Sequence, residues 1–244
     1  MVRFPVALLH MRTLFLILGG LFVALIAYWG IRFYLTVQVS KKLIEAAVLY
    51  EKASEDNSIT MLVLGDSTSV GVGADTSLDT VAGQAATHIN ATSVENYAKS
   101  GAVTKDLSGQ IANATEDRYG LILIQIGGND IIRFKNARET AEELRAAIKA
   151  LPLADTVVII SAGDVGGATL FPFFVRPFHT RLNNEYHEAF AKVAEEEGVT
   201  YVNFGNAPAT KTISARPDIY LSADGLHPST AGYTLWFETI KPSL

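Results

Sequence analysis

Three side chains in this sequence have the types that nucleophilic catalysis needs: Ser67 in Gly65-Asp66-Ser67, and Asp224 and His227 in Asp224-Gly225-Leu226-His227-Pro228. A serine hydroxyl attacks poorly until a base accepts its proton, and a histidine oriented by a carboxylate is the usual base. Of the five histidines, only His227 lies in a glycine- and proline-punctuated loop with a carboxylate three residues away. Gly225 permits the tight turn that lets Asp224 and His227 face each other, and Pro228 suits the start of a helix. Taken alone, Asp224-Gly225 reads first as a plain turn. Acyl transfer also needs donors aimed at a developing oxyanion. The backbone N–H of Gly101 and the side-chain amide of Asn129, in Gly127-Gly128-Asn129-Asp130, are of the right kind, though each is also an ordinary turn residue.

Other chemistries fit less well. The loop after Ser67 has Gly71-Val72-Gly73 but lacks the lysine of a Walker-type phosphate loop, and threonine stands where a dinucleotide loop has its third glycine. With no cysteine, thiolate catalysis, disulfides and Cys-based zinc sites are excluded. No His/Asp/Glu group has metal-ligand spacing, so neither metal nor cofactor is expected. A net charge of -5 gives no reason to expect a nucleic-acid partner. Asp66 and Asp130 read as structural acceptors for loop N–H groups, and Ser69 is offset from the Gly-Asp-Ser block.

The elements that must position these residues alternate. Apolar runs at Thr60–Leu64, Ser93–Tyr97, Leu121–Ile126, Thr156–Ser161 and Thr200–Phe204 read as strands. Helical patterns lie between and after them, at Asp79–Ile89, Lys105–Asn113, Ala137–Ala150, Leu182–Glu197 and Ser229–Ile240. Strands apolar on both faces, alternating with helices, predict a parallel sheet covered by helices on both sides. Ligands of such sheets bind outside the carboxyl ends of the strands. Ser67, Gly101 and Asn129 follow the first, second and third strands, and His227 precedes the last helix.

Gly-Asp-Ser, Asn96-x-x-x-Ser100-Gly101, Gly-Gly-Asn-Asp and Asp-x-x-His occur in this order from about Ile59 to the C-terminus. Together they resemble the SGNH (GDSL-type) family of serine esterases and lipases, with Thr68 where the family pattern often has leucine. The resemblance implies a three-layer α/β/α flavodoxin-like sandwich of about five parallel strands and metal-independent ester hydrolysis through an acyl-enzyme. It casts Ser67 as nucleophile, His227 as general base and Asp224 as its orienting carboxylate. The oxyanion hole would be the N–H groups of Ser67 and Gly101 and the amide of Asn129. The substrate would be a lipid or acylated-glycan ester. An acyl or acetyl transferase using the same serine, or a silent acyl- or glycan-binding member, are the alternatives.

Residues 58–244 are assigned to this domain, 1–12 to an N-terminal tail, 13–35 to a transmembrane anchor and 36–57 to a juxtamembrane helix and linker. The stretch Thr13–Ile31 carries no charge and is long enough to cross a hydrocarbon core about 30 Å thick. Tyr28 and Trp29 suit an interface belt. An uncleaved single-pass anchor fits better than a cleaved signal peptide or a buried helix, because the run is long and no Ala-x-Ala site follows. A short tail before a first anchor favours an extracytoplasmic domain. Lys41–Asn57 reads as a juxtamembrane helix running into a polar linker, more readily a solvated spacer than a segment resting on lipid or on the domain. Leu170–Phe178, "LFPFFVRPF", is aromatic and could line an acyl pocket, form a lid, touch a membrane or pack as core.

Overall fold

The computed structural model describes residues 6–54, 58–205 and 207–244, with side chains from residue 10 onward. Residues 1–5 of the expected tail, including Arg3, and residues 55–57 of the expected linker lie outside the described residues. The chain begins with a long helix, α1 (Val6–Ala46), followed by β1 (Thr60–Gly65), the single turn α2 (Ser67–Val70), α3 (Val81–His88) and β2 (Ser93–Asn96). Then come α4 (Leu107–Ile111), β3 (Arg118–Ile126), α5 (Gly128–Ile132), α6 (Ala137–Lys149), β4 (Leu153–Ser161) and α7 (Arg176–Glu197). The last elements are β5 (Thr200–Val202), α8 (Pro208–Ala215), α9 (Pro217–Tyr220) and α10 (Thr230–Ile240).

The five strands form one parallel sheet in the order β2-β1-β3-β4-β5. The apolar runs are continuous because both faces are covered. Leu62 and Leu64 of β1 and Ile122 and Ile124 of β3 pack against α4, α6 and α7. Their neighbours Met61, Val63, Leu121 and Leu123 pack on the other side against α3 and α10. The order reverses at β1, whose successor β2 lies on one side and β3 on the other. That reversal opens the crevice in which doubly wound sheets bind ligands.

The expected elements are present, with shifted ends. α7 begins at Arg176, six residues before the apolar periodicity becomes clear. Pro177 is tolerated there, since a first-turn residue has no intrahelical acceptor for an N–H. The short helices α8 and α9 were not expected; each starts at a proline in the stretch between β5 and the His227 loop.

The helix expected to open Lys41–Asn57 and run into a linker is present, but the solvated setting expected of this segment is corrected. α1 continues without a break to Ala46 and stops there. Beyond it, the backbone at Lys52 makes an antiparallel bridge to Val94, with N–H to O distances of 3.1 and 2.8 Å in the two directions. The edge strand β2 has unpaired backbone groups on that side, and the bridge satisfies two of them, which a solvated helix could not. Leu43, Ala47 and Leu49 pack on Val70, Val72 and Ala98, so this segment rests on the domain. Among the described residues, α1 is the one helix long and apolar enough to cross a membrane, and its apolar window is not buried against the domain.

The end of β1 is tightly fixed. The Gly65 N–H donates to Gln110 Oε1 at 2.7 Å, and Gln110 Nε2 donates to the Gly65 carbonyl at 2.8 Å. Gly65 has φ of +138°, and a Cβ there would lie 2.0 Å from the Gln125 carbonyl oxygen. Gly65→Ala is therefore expected to destabilise the fold by about 3 kcal/mol or more. Denaturant unfolding followed by circular dichroism checks this; a midpoint within error of the parent's contradicts it.

Candidate active site

Ser67 is the first residue of α2, immediately after β1. Asp66 caps this turn: its Oδ1 accepts from the Thr68 N–H at 2.9 Å and the Thr68 hydroxyl at 2.8 Å. A first-turn N–H has no intrahelical acceptor, so the Ser67 N–H stays available at the crevice. The Ser67 side chain is held 2.9 Å (Oγ to Nε2) from His227. His227 Nδ1 lies 2.6 Å from Asp224 Oδ2. With the carboxylate facing Nδ1, the ring proton belongs there and the Nε2 lone pair faces the hydroxyl.

The loop carrying the pair is shaped by its own backbone. The Ser222 N–H donates to the His227 carbonyl at 2.8 Å, and the Ser229 N–H donates to the Tyr220 carbonyl at 2.9 Å. Gly225 turns the chain between them with φ of +63°. Asp224 Oδ1 accepts from the Ser222 hydroxyl at 2.9 Å and from the N–H groups of Leu226 and His227 at 3.0 Å each. Burial raises the Asp224 pKa, but the hydrogen bond and charge of His227, with these N–H donors, outweigh it and hold the carboxyl well below the usual range.

Gly101 and Asn129 meet at the same edge. Gly101 takes a left-handed conformation, φ +82°, and its carbonyl accepts from the Arg133 guanidinium at 3.0 Å. One hydrogen of Asn129 Nδ2 goes to the Ala102 carbonyl at 3.0 Å, which fixes the amide and leaves its second hydrogen for a ligand. Ser67, Gly101, Asn129 and His227 line one cavity together. Its other walls are largely apolar, from Ile126, Ile132, Val165, Ile213, Leu221 and Trp236. Ser40 and Ile44 of α1 also line it. All five residues singled out in the sequence thus converge on one site.

The remaining candidates separate from it. Ser69 Oγ donates to the Leu64 carbonyl at 2.8 Å and is buried behind the turn. His179 and His187 are buried in α7. Burial pushes the His187 pKa down to about 4, and the ring sits between Asn183 at 2.6 Å and Tyr201 at 2.9 Å. Asp130 is a structural acceptor: its Oδ2 takes the N–H and hydroxyl of Thr104, both at 2.9 Å, and its Oδ1 takes Lys135 Nζ at 2.9 Å. It thereby ties the Gly101 loop to α5, which carries Asn129. Gln110, Thr104 and Arg133 position the site and drew no notice in the sequence, where each reads as one polar residue in a helical or loop pattern. Among the described residues, no group of three His, Asp or Glu is arranged to hold a metal ion.

Asp66 differs from Asp224. Burial raises its pKa to about 6, against weaker opposition from Thr68 and His227. The ordinary value is 3.8, so the folded state holds its proton more tightly than the unfolded state does. Stability therefore falls as pH rises from about 4 to about 6, by roughly 3 kcal/mol in all. Asn in its place keeps an Oδ1 acceptor without the buried charge. Asp66→Asn should gain stability over the parent above pH 7, and this advantage should shrink as pH falls through 6 and level off below 4. Unfolding free energies across that range check it; a pH-independent difference contradicts it.

A family model described as the GDSL-like Lipase/Acylhydrolase family matches residues 63–235. Similar solved structures include TesA, with 21% identity, a TM-score of 0.58, and coverage of 76% of this chain and 97% of that one. Phospholipase A1 from Streptomyces albidoflavus has 18% identity and a TM-score of 0.55, covering 76% and 99%. The psychrotrophic esterase EstA from Pseudoalteromonas sp. has 18% identity and a TM-score of 0.52, covering 77% and 96%. At these identities the likenesses speak for the fold. No curated protein matches the chain.

Proposed function

The chain belongs to the GDSL-like lipase/acylhydrolase family and is an SGNH-type serine hydrolase, and on that premise we propose that it is a membrane-anchored carboxylic esterase acting through an acyl-enzyme on Ser67. The observation that carries this reading is the unbroken relay from Ser67 Oγ to His227 Nε2 and from His227 Nδ1 to Asp224 Oδ2.

In the first step Ser67 Oγ attacks the ester carbonyl carbon as His227 Nε2 takes the hydroxyl proton. Asp224 stabilises the imidazolium formed. The carbonyl oxygen becomes an oxyanion facing the N–H groups of Ser67 and Gly101 and the free hydrogen of Asn129 Nδ2. The intermediate collapses, the C–O bond to the alcohol breaks, and His227 returns the proton to the departing alkoxide. Water then repeats the sequence on the acyl-enzyme, with His227 as its base, releasing the carboxylic acid and restoring Ser67.

The anchor assignment rests on α1. Its uncharged stretch suits a hydrocarbon core, and it stays part of the domain. The Arg32 guanidinium donates to the Thr169 carbonyl at 3.3 Å, and Ser40 and Ile44 form part of the cavity wall. Removing α1 as a signal peptide would remove contacts the site uses.

A short p-nitrophenyl ester tests the roles. Ser67→Ala should abolish turnover and labelling by a fluorophosphonate probe while leaving the circular dichroism unchanged. Asn129→Ala should lower kcat by about 10²–10³, and Asp224→Asn by on the order of 10⁴. Undiminished turnover in Ser67→Ala would sink the reading.

A further inference from the structure

Residues 165–175 carry no charge, and their tip is aromatic. Leu170 and Phe171 are buried, but Phe173, Phe174 and Phe178 are 65%, 49% and 66% exposed. The projection is built rather than loose. The Val175 N–H donates to the Pro172 carbonyl at 2.9 Å, and Arg176 Nε donates to the Phe171 carbonyl at 3.0 Å. At its base, the Leu170 N–H donates to the Gly225 carbonyl at 3.2 Å, which joins it to the loop holding Asp224 and His227. Three exposed phenylalanines on a fixed frame are costly in water and call for an apolar partner.

The depth of α1 says what that partner is. The Trp29 ring lies 6.5 Å from Phe173 and 6.3 Å from Phe174, centre to centre. The Arg32 guanidinium sits 5.1 Å over the same indole. Between Arg12 and Arg32 α1 has no charge, a length of roughly 28 Å at 1.5 Å per residue, close to one hydrocarbon thickness. Trp29 and Arg32 therefore fall at one boundary of the bilayer, and the phenylalanine tips touching Trp29 fall at the same depth. A protein partner on this patch would have to share it with lipid.

Resting on the reading above as a membrane-anchored esterase, we propose that the Phe173–Phe178 projection docks into the leaflet at which α1 emerges and turns the active-site cavity toward that leaflet. Its substrates are then long-chain acyl esters resident in the membrane. Trp29, Phe33, Val37, Ser40 and Ile44 are spaced by four, four, three and four residues, one face of the helix. Trp29 touches the projection, and Ser40 and Ile44 line the cavity, so this stripe joins the two. Ser40 lies about 16 Å along the axis from Trp29, so the cavity stands just outside the headgroup layer. A lipid rising from the leaflet keeps its chain against the apolar stripe while its ester reaches Ser67. A short acetyl ester on a soluble glycan makes no use of this path.

The absence of cysteine lets a single label be placed in the full chain, reconstituted in phosphatidylcholine–phosphatidylglycerol vesicles. An environment-sensitive fluorophore on Phe173→Cys should be blue-shifted and quenched by lipids carrying a nitroxide near the headgroup. The same label on Lys149→Cys, at the end of α6 and the opposite edge of the sheet, should be quenched only by aqueous iodide. Phe173→Ser/Phe174→Ser should lower hydrolysis of a long-chain ester in the vesicles roughly tenfold, the scale of about 1.4 kcal/mol, with turnover of soluble p-nitrophenyl acetate unchanged. A label at 173 as open to iodide as one at 149, or vesicle-ester hydrolysis equal to the parent's in the double variant, overturns the proposal. Failure of the parent to turn over either ester strikes the esterase reading instead, and the labelling still decides the docking.

Discussion

The hydrogen bond between Ser67 and His227 closes a loop of 160 residues, and most of the fold can be read as what keeps its two ends in register. Ser67 is fixed from below by β1, which is central enough to be paired on both sides. Gly65 then passes so close to β3 that no side chain fits, and Gln110 grips both of its backbone groups. The His227 end has no strand beneath it. Its position comes from the nested hydrogen bonds of the Tyr220–Ser229 loop and from α10, whose Tyr233 and Trp236 are buried in the core beside α3. A rigid sheet edge presents the hydroxyl, and a self-braced loop brings the imidazole to it.

Three aspartates within this small region have different surroundings and different tasks. Asp224 collects a hydroxyl, two N–H groups and the imidazole, and remains a carboxylate. Asp130 is fully buried but shares its charge with Lys135 and its lone pairs with Thr104. Among the described residues, Asp66 has only Thr68 for its Oδ1 and its charge faces no cation at ion-pair distance, so burial dominates its titration. The same side chain thus serves as an anion paired with an imidazole, a loop tie and a helix cap, according to how many donors surround it.

The sequence made the chemistry-bearing residues legible because each is a glycine or stands close to one, at a strand end for Ser67, Gly101 and Asn129 and in the loop before α10 for Asp224 and His227. Gly65, Gly101, Gly127 and Gly225 all have positive φ, and each lies within two residues of a proposed functional side chain or is one itself. The strands were legible because burial on both faces leaves no polar alternation to confuse. What was not legible acts across the chain. Gln110 is an unremarkable residue of α4 until Gly65 is placed beside it. Lys52 looks like part of a solvated spacer until the free edge of β2 is there to pair with it. The helical start of Lys41–Asn57 was legible from its periodicity as far as Ala46, whereas the setting of the linker beyond it was decided by a tertiary partner, the edge of β2.

α1 has two aspects, its composition and its contacts. Considered by composition, it is an anchor and the domain a passenger. Considered by contact, its lower turns belong to the cavity, through Ser40 and Ile44, and to the projection, through Trp29 and Arg32. A tether that only retained the domain near lipid would need none of these contacts, since a solvated linker of the same length would do. The helix axis is fixed against the loop that carries Thr169 and, through Leu170, against the Asp224–His227 loop, so in the proposed anchored state the direction of the membrane would be coupled to the orientation of the relay. Under the proposed anchoring, retention and substrate access would be one structural constraint, because the helix that would set the depth of the domain also forms a wall of its cavity.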